Sequence, residues 1–106
     1  MERTLELTRR AYADIDLLFA FVKKRSGVAA AESWRNALYA RLAKLGQMPE
    51  AWPHVDEPVL AELDVREFLF RRWRHVYRIW YRIDESVVRI HRVRHASQAG
   101  LSAEDI

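Results

Sequence analysis

The sequence predicts an α+β fold in which an N-terminal strand and a two-helix antiparallel hairpin pack on a mainly antiparallel curled sheet, in the order β-α-α-β-β-β. Three observations carry that expectation. Apolar residues recur with the 3.6-residue period of an amphipathic helix from position 11 to position 45. Beyond position 65 the period changes to the two-residue alternation of half-buried strands. Between these regions lie all three prolines, Pro49, Pro53 and Pro58, which punctuate a connection. With 106 residues, half of them apolar and only three Gly, the chain suits one packed domain over 1–106 and not a disordered or fibrous one.

Each element has its own signal. Arg3-Thr4-Leu5-Glu6-Leu7-Thr8 alternates polar and apolar, as a first strand does. Thr8 can cap a helix from about Arg9 to Arg25, with Ala11, Ile15, Leu18, Phe19 and Val22 on its apolar stripe. Ser26-Gly27 breaks that stripe. A second one, Ala31, Trp34, Leu38, Leu42 and Leu45, is expected to end at Gly46 and Pro49, giving an antiparallel pair of helices. Residues 47–62 have no sustained period and read as an irregular crossover loop. Three strands follow: Val65 to Arg71, His75 to Ile83 and Val87 to His95, the last two joined by an Asp84-Glu85-Ser86 turn. In the middle strand Tyr77, Ile79, Tyr81 and Ile83 face one way, and Arg78, Trp80 and Arg82 the other, which predicts one packed and one polar face. Val88 and Ile90 share a parity that Val93 does not, so either a bulge near His91 or cover on both faces is expected. The polar tail from Ala96 to Ile106 holds at most a helical turn.

The net charge of +3 conceals an asymmetry. From Arg66 to His95 there are nine arginines against Glu67, Asp84 and Glu85, a net +6, while the rest of the chain carries a net −3. Every basic residue of that segment is Arg, whose planar fork suits phosphate and carboxylate. An acidic partner is therefore expected. The chain has no cysteine, hence no disulfide framework and no thiolate metal ligand. No apolar run approaches the roughly 20 residues that span a bilayer. The opening Met1-Glu2-Arg3-Thr4 lacks a signal-peptide pattern, so a soluble, cytoplasmic protein without a membrane partner is expected.

Taken in order, these elements resemble the RelE/ParE family of toxins, the toxic halves of bacterial toxin-antitoxin pairs. The resemblance covers nearly the whole chain. It is carried by Ala13-Asp14-Ile15-Asp16 in the first helix and by Leu45 followed four residues later by Pro49. It continues in Val65-Arg66-Glu67-Phe68, Arg71-Arg72-Trp73-Arg74, Tyr77-Arg78-Ile79-Trp80-Tyr81-Arg82-Ile83 and the closing Ile90-His91-Arg92-Val93-Arg94-His95. The resemblance implies a toxin of a type II toxin-antitoxin (plasmid stabilisation) system, with a cognate antitoxin as partner in a hetero-oligomer and no cofactor. ParE-like members resemble DNA gyrase poisons, whereas RelE-like members cut messenger RNA in the ribosome. Metal-free RNA cleavage needs a base, charge stabilisation at phosphate and an acid. For that chemistry Arg78 matches a sheet arginine of the family, and Arg71 or Arg74 can add a second charge. Ala96-Ser97-Gln98-Ala99-Gly100 lacks the Arg and Tyr of the ribonuclease pattern, and Gln98 stands where the family usually has Arg. His95 and the Tyr-Arg-Ile strand resemble the ParE branch, so gyrase inhibition is the first expectation. A non-toxic module that binds nucleic acid or protein is the third.

For target or nucleic-acid binding the candidate residues are Arg71, Arg72, Arg74, Arg78, Arg82, Arg92 and His95. His75, His91 and His95 could suggest a metal, but no further ligand accompanies them and none is expected. Leu17 and Phe21 lie roughly 160° and 120° from the centre of the first helix's apolar stripe, and Tyr39 is similarly displaced on the second. With Trp80, these form the expected antitoxin surface, to be met by an amphipathic helix that extends along the sheet as a strand. Trp34 belongs to the core, and Trp80 is expected to stack with arginine.

Overall fold

The computed structural model describes residues 3–98 and 102–106. Strand β1 (Thr4–Leu7) leads into helix α1 (Arg9–Ser26), and α2 (Val28–Gln47) returns beside it. The Thr8 side chain accepts the Ala11 amide at 3.1 Å, which is the expected N-cap. Gly27 separates the helices at φ 93° and ψ 168°, a conformation essentially confined to glycine, and this turns the chain within one residue. Gly46 does not end α2; it is buried inside the last turn, and Met48 closes the helix instead.

The crossover is more ordered than its composition suggested. Pro49–Ala51 forms a 3₁₀ turn, and α3 (Pro58–Glu62) begins at a proline in its first turn, where a missing amide proton costs nothing. Glu57 caps it by accepting the Val59 and Leu60 amides. Residues without a hydrophobic period became helical because two capping devices, and not a stripe, define them.

Strands β2 (Arg66–Arg72), β3 (His75–Asp84) and β4 (Val87–His95) form the meander, and the sheet order is β1-β4-β3-β2. β1 pairs with β4 in parallel; the other pairs are antiparallel. Both alternatives raised by the odd parity of β4 occur. The β3–β4 register slips between Trp80 and Tyr81, so that Tyr81 faces Ile90 and Trp80 faces Arg92, leaving His91 as the extra residue of a bulge. That extra residue lets Val88, Ile90 and Val93 all reach the core. The core lies between α1, α2 and the inner face of the sheet and includes Trp34, Leu38, Leu42, Phe68, Phe70, Tyr77 and Tyr81.

The outer face departs from the expected polar surface. Trp80 is 1% exposed and sits in a second apolar cluster with Val55, Leu60 and Val65, against which Ala103 and Ile106 pack. Half of the face is thus roofed by the crossover and the tail. Ser102 and Asp105 form a capping box around a 3₁₀ turn, Ala103–Asp105, which supplies the helical turn expected of the tail. The expected character of Ala99, Gly100 and Leu101, like that of Met1 and Glu2, lies outside the described residues. Among the described residues, no helix is long and apolar enough to cross a membrane.

Candidate functional site

The β3–β4 ladder builds a basic surface rung by rung. It sets Arg78 opposite Arg94, Trp80 opposite Arg92, and Arg82 opposite Arg89. Like charges facing each other across a ladder oppose folding, so each rung needs a counter-charge or a partner. Three of these arginines have one. Arg78 donates to the Glu67 carboxylate, which also accepts the Trp80 indole N–H at 2.9 Å, and its guanidinium lies 5.4 Å from the Trp80 ring centroid. The stacking of Trp80 with arginine is as expected, but its burial removes it from the antitoxin surface. Arg89 meets Glu6 at 3.2 Å and Asp84 at 3.3 Å. Arg92 is held by both Asp14 oxygens, at 2.8 and 2.9 Å, and by Asp105 at 2.8 Å; the Asp14 hydrogen bond raises its pKa further. Arg92 is therefore a structural clamp and not a free cation.

Arg82 and Arg94 form no ion pair among the described residues, and Arg94 Nε is buried without a hydrogen-bond partner. Arg71 and Arg74 are exposed beside the β2–β3 turn. Arg94, like Arg82, belongs to this surface although it was absent from the expected set; its alternation with Val93 and His95 is the signal that could have found it. Arg72 leaves the set: it points to the helix side, where it donates to Ser33 Oγ at 2.5 Å and stacks on Trp73. His95 leaves it too, because the bulge puts it opposite Tyr77 on the inner side. His91 and His95, equal in sequence parity, are thereby separated. Burial, then Arg82 and Arg89, pushes the His91 pKa below 6.5.

His95 belongs to a second constellation that sequence reasoning missed. Its Nε2 lies 3.0 Å from His75 Nδ1, while its Nδ1 receives the Ser97 amide at 3.0 Å and lies 2.6 Å from Ser97 Oγ. An amide can only donate, so His95 Nδ1 carries no proton and the ring is protonated at Nε2. It therefore donates to His75 Nδ1, which places the His75 proton on Nε2. Burial, then His75, then Arg25, holds the His95 pKa below the ordinary 6.5. The pair opens on a cleft of about 380 Å³ lined by Leu18, Phe21 and Val22 from α1, by Tyr77, and by Arg25, Ser97 and Gln98. Burial raises the Tyr77 pKa against the pull of Arg25. The signal that could have found the cleft is the hairpin itself: a turn centred on Glu85 folds the start of β3 onto the end of β4.

On the helix face the expected apolar residues are exposed: Leu17 at 53% and Phe21 at 61%, with Tyr39 at 36%. Tyr12, also half-exposed, lies close enough to Tyr39 to raise its pKa after desolvation, but it stands roughly 140° and 180° around α1 from Leu17 and Phe21, so the two pairs form separate patches. The basic sheet face and this helix face lie on opposite sides of the sheet, so a single partner segment must pass around an edge to cover both.

An αα-hairpin on one side of a meander whose other side is arginine-rich defines a small basic α+β protein. Residues 5–100 match the family of the ParE toxin of type II toxin-antitoxin systems, parDE, and the chain belongs to that family. Among solved structures it is similar to a chain of the chromosomal ParDE toxin-antitoxin system from P. aeruginosa, with a TM-score of 0.72 and 20% identity over 89% of this chain and 96% of that one. It also resembles the toxin RelE of E. coli, with a TM-score of 0.56 and 21% identity over 92% and 86% of the two chains. The RelBE2 toxin-antitoxin complex of Mycobacterium tuberculosis follows, with a TM-score of 0.50 and 22% identity over 90% and 99%. Among curated proteins none matches the chain.

Proposed function

We propose that this toxin acts in the cytoplasm as a ParE-type inhibitor of DNA gyrase, within a plasmid-stabilisation or chromosomal pair, and that a cognate antitoxin silences it. The single observation that supports this reading is the set of opposed arginines on the outer face, Arg78 with Arg94 and Arg82 with Arg89, of which Arg82 and Arg94 lack acidic partners among the described residues. A surface that tolerates such repulsion in the free protein gains by meeting an anionic one. Arg71 and Arg74 extend it toward the β2–β3 turn. The antitoxin's amphipathic segment is assigned to the exposed Leu17–Phe21 flank of α1, with Tyr39 beside Tyr12 as a second, separate patch. In a supercoiling assay the purified protein is expected to inhibit gyrase, and Arg82→Glu with Arg94→Glu to weaken inhibition by about tenfold or more. Unimpaired supercoiling together with cleaved RNA ends this reading.

The alternative, a ribosome-dependent endoribonuclease, is favoured by a different observation from the one expected. Among the arginines first considered for that chemistry, Arg78 is engaged by Glu67. The hydrogen-bonded His75–His95 pair with Arg25 nearby supplies acid-base groups and a cation in one cleft. If this reading holds, His95→Ala abolishes ribosome-dependent RNA cleavage and Arg78→Ala does not.

A further inference from the structure

The gyrase reading leaves the His75–His95 cleft without a role, although its chemistry is one-sided. Its floor is apolar, from Leu18 and Val22, and Phe21 connects it to the exposed face of α1. Most of its polar groups offer donors, although the Ser97 and Tyr77 hydroxyls can also accept. Arg25 brings a guanidinium. The tautomer fixed by the Ser97 amide leaves His75 with an Nε2–H, and Gln98, whose Oε1 is taken by the His95 amide at 2.6 Å, has only its NH₂ to offer. Among the described residues no carboxylate lines the cleft. Positive charge surrounds it: Lys23, Lys24 and Arg25 form the last turn of α1.

We propose that this cleft anchors one glutamate side chain of a partner protein whose helix lies along the Leu17–Phe21 ridge of α1. The proposal rests on the reading that an antitoxin docks on that helix face, and it names the chemistry of the contact. Leu17 and Phe21 are one helical turn apart, so they present a continuous ridge that ends at the cleft mouth. A partner helix packed on that ridge carries its next side chain over the opening. An apolar stem with an anionic tip fits a cavity with an apolar floor and with donors from Arg25, His75 and Gln98. Nucleic acid, the other anionic candidate, would use the donors and leave the exposed ridge uncovered.

The test uses the full chain and a stapled helical peptide of about 16 residues, long enough to hold its fold once cross-linked. The peptide carries two leucines four apart and a glutamate one turn beyond, and a second version has glutamine there. Fluorescence anisotropy is expected to show the glutamate peptide binding about tenfold tighter, the scale of one charge-assisted contact. In Arg25→Gln that preference is lost, while Leu17→Ser weakens both peptides alike. Equal binding of the two peptides, or binding of neither, overturns the proposal. So does an octauridylate that shifts the His75 and His95 imidazole resonances in a protein that ignores the peptides. Growth arrest on expression and its rescue by a co-expressed antitoxin test the toxin reading separately. Rescue without a glutamate preference removes only the cleft assignment, whereas a preference in a chain that never arrests growth removes only the toxin reading.

Discussion

At Asp14 one carboxylate meets three donors. Arg92 approaches it twice and the Val93 amide once, at 2.8 to 2.9 Å, with the side chain 9% exposed. The site exists because β1 ends at Leu7, opposite Ile90, and β4 runs on without a strand beside it. α1 covers that edge and Asp14 takes the amide that a strand would have taken. Asp14→Ala leaves the Val93 amide unpaired and the Arg92 guanidinium with Asp105 alone, and is expected to cost about 3 kcal/mol, measured by urea unfolding. Tyr81 plays a smaller part of the same kind: its buried hydroxyl, with a pKa pushed up to about 12 by desolvation, donates to the Pro49 carbonyl at 2.5 Å and ties the crossover to the sheet. Tyr81→Phe is expected to lower stability by about 1 kcal/mol. The histidines set the pH response. His91 and His95 both have folded pKa values below the ordinary 6.5, so both are more readily protonated in the unfolded chain. Their contribution is complete above pH 6.5 and is lost as pH falls through that value toward the folded pKa. The urea midpoint should therefore fall from pH 7.5 to 5.5, and less so in His91→Asn.

Elements meet at joints that a few residues control. Gly27 joins α1 to α2 at φ 93°, and a Cβ added there would touch nothing within 4 Å. The cost of Gly27→Ala is therefore backbone strain alone, about 1–3 kcal/mol, and the helices keep their packing. Circular dichroism should show unchanged helix content with a lower thermal midpoint. The bulge at His91 is the corresponding joint in the sheet. It absorbs the extra residue, so that Val93 stays in the core and His95 beside His75. Removal of His91 is expected to leave a regular ladder in which Val93, now two positions after Ile90, stays inward and the two imidazoles remain in contact, visible as retention of their coupled resonances.

At the scale of the molecule, charge and apolar surface are segregated. The sheet's outer face carries the unpaired arginines, while Leu17 and Phe21 stand on the helix face. Two independent sets of variants should follow. Leu17→Ser with Phe21→Ser should weaken antitoxin binding about tenfold or more while leaving stability within about 0.5 kcal/mol, since exposed side chains contribute little to folding. Arg82→Glu with Arg94→Glu should spare antitoxin binding at the helix face and reduce the salt dependence of target association. Isothermal titration at two ionic strengths separates the two effects.

Local pattern was sufficient for much of this architecture. The two stripes, the Thr8 cap, the Gly27 break, the alternation of β3 and the broken parity of β4 are all properties of neighbouring residues, and each appears where periodicity put it. The basic excess between Arg66 and His95 and the outward Leu17, Phe21 and Tyr39 are likewise local. Tertiary structure decided what depends on residues far apart in the chain. Trp80 is buried because the crossover and the tail fold over it, Arg92 is neutralised by an acid 78 positions away, and His75 meets His95 only across a bulged hairpin. A side chain's direction follows from the backbone beside it, whereas its counter-charge and its cover come from whatever the folded chain brings back.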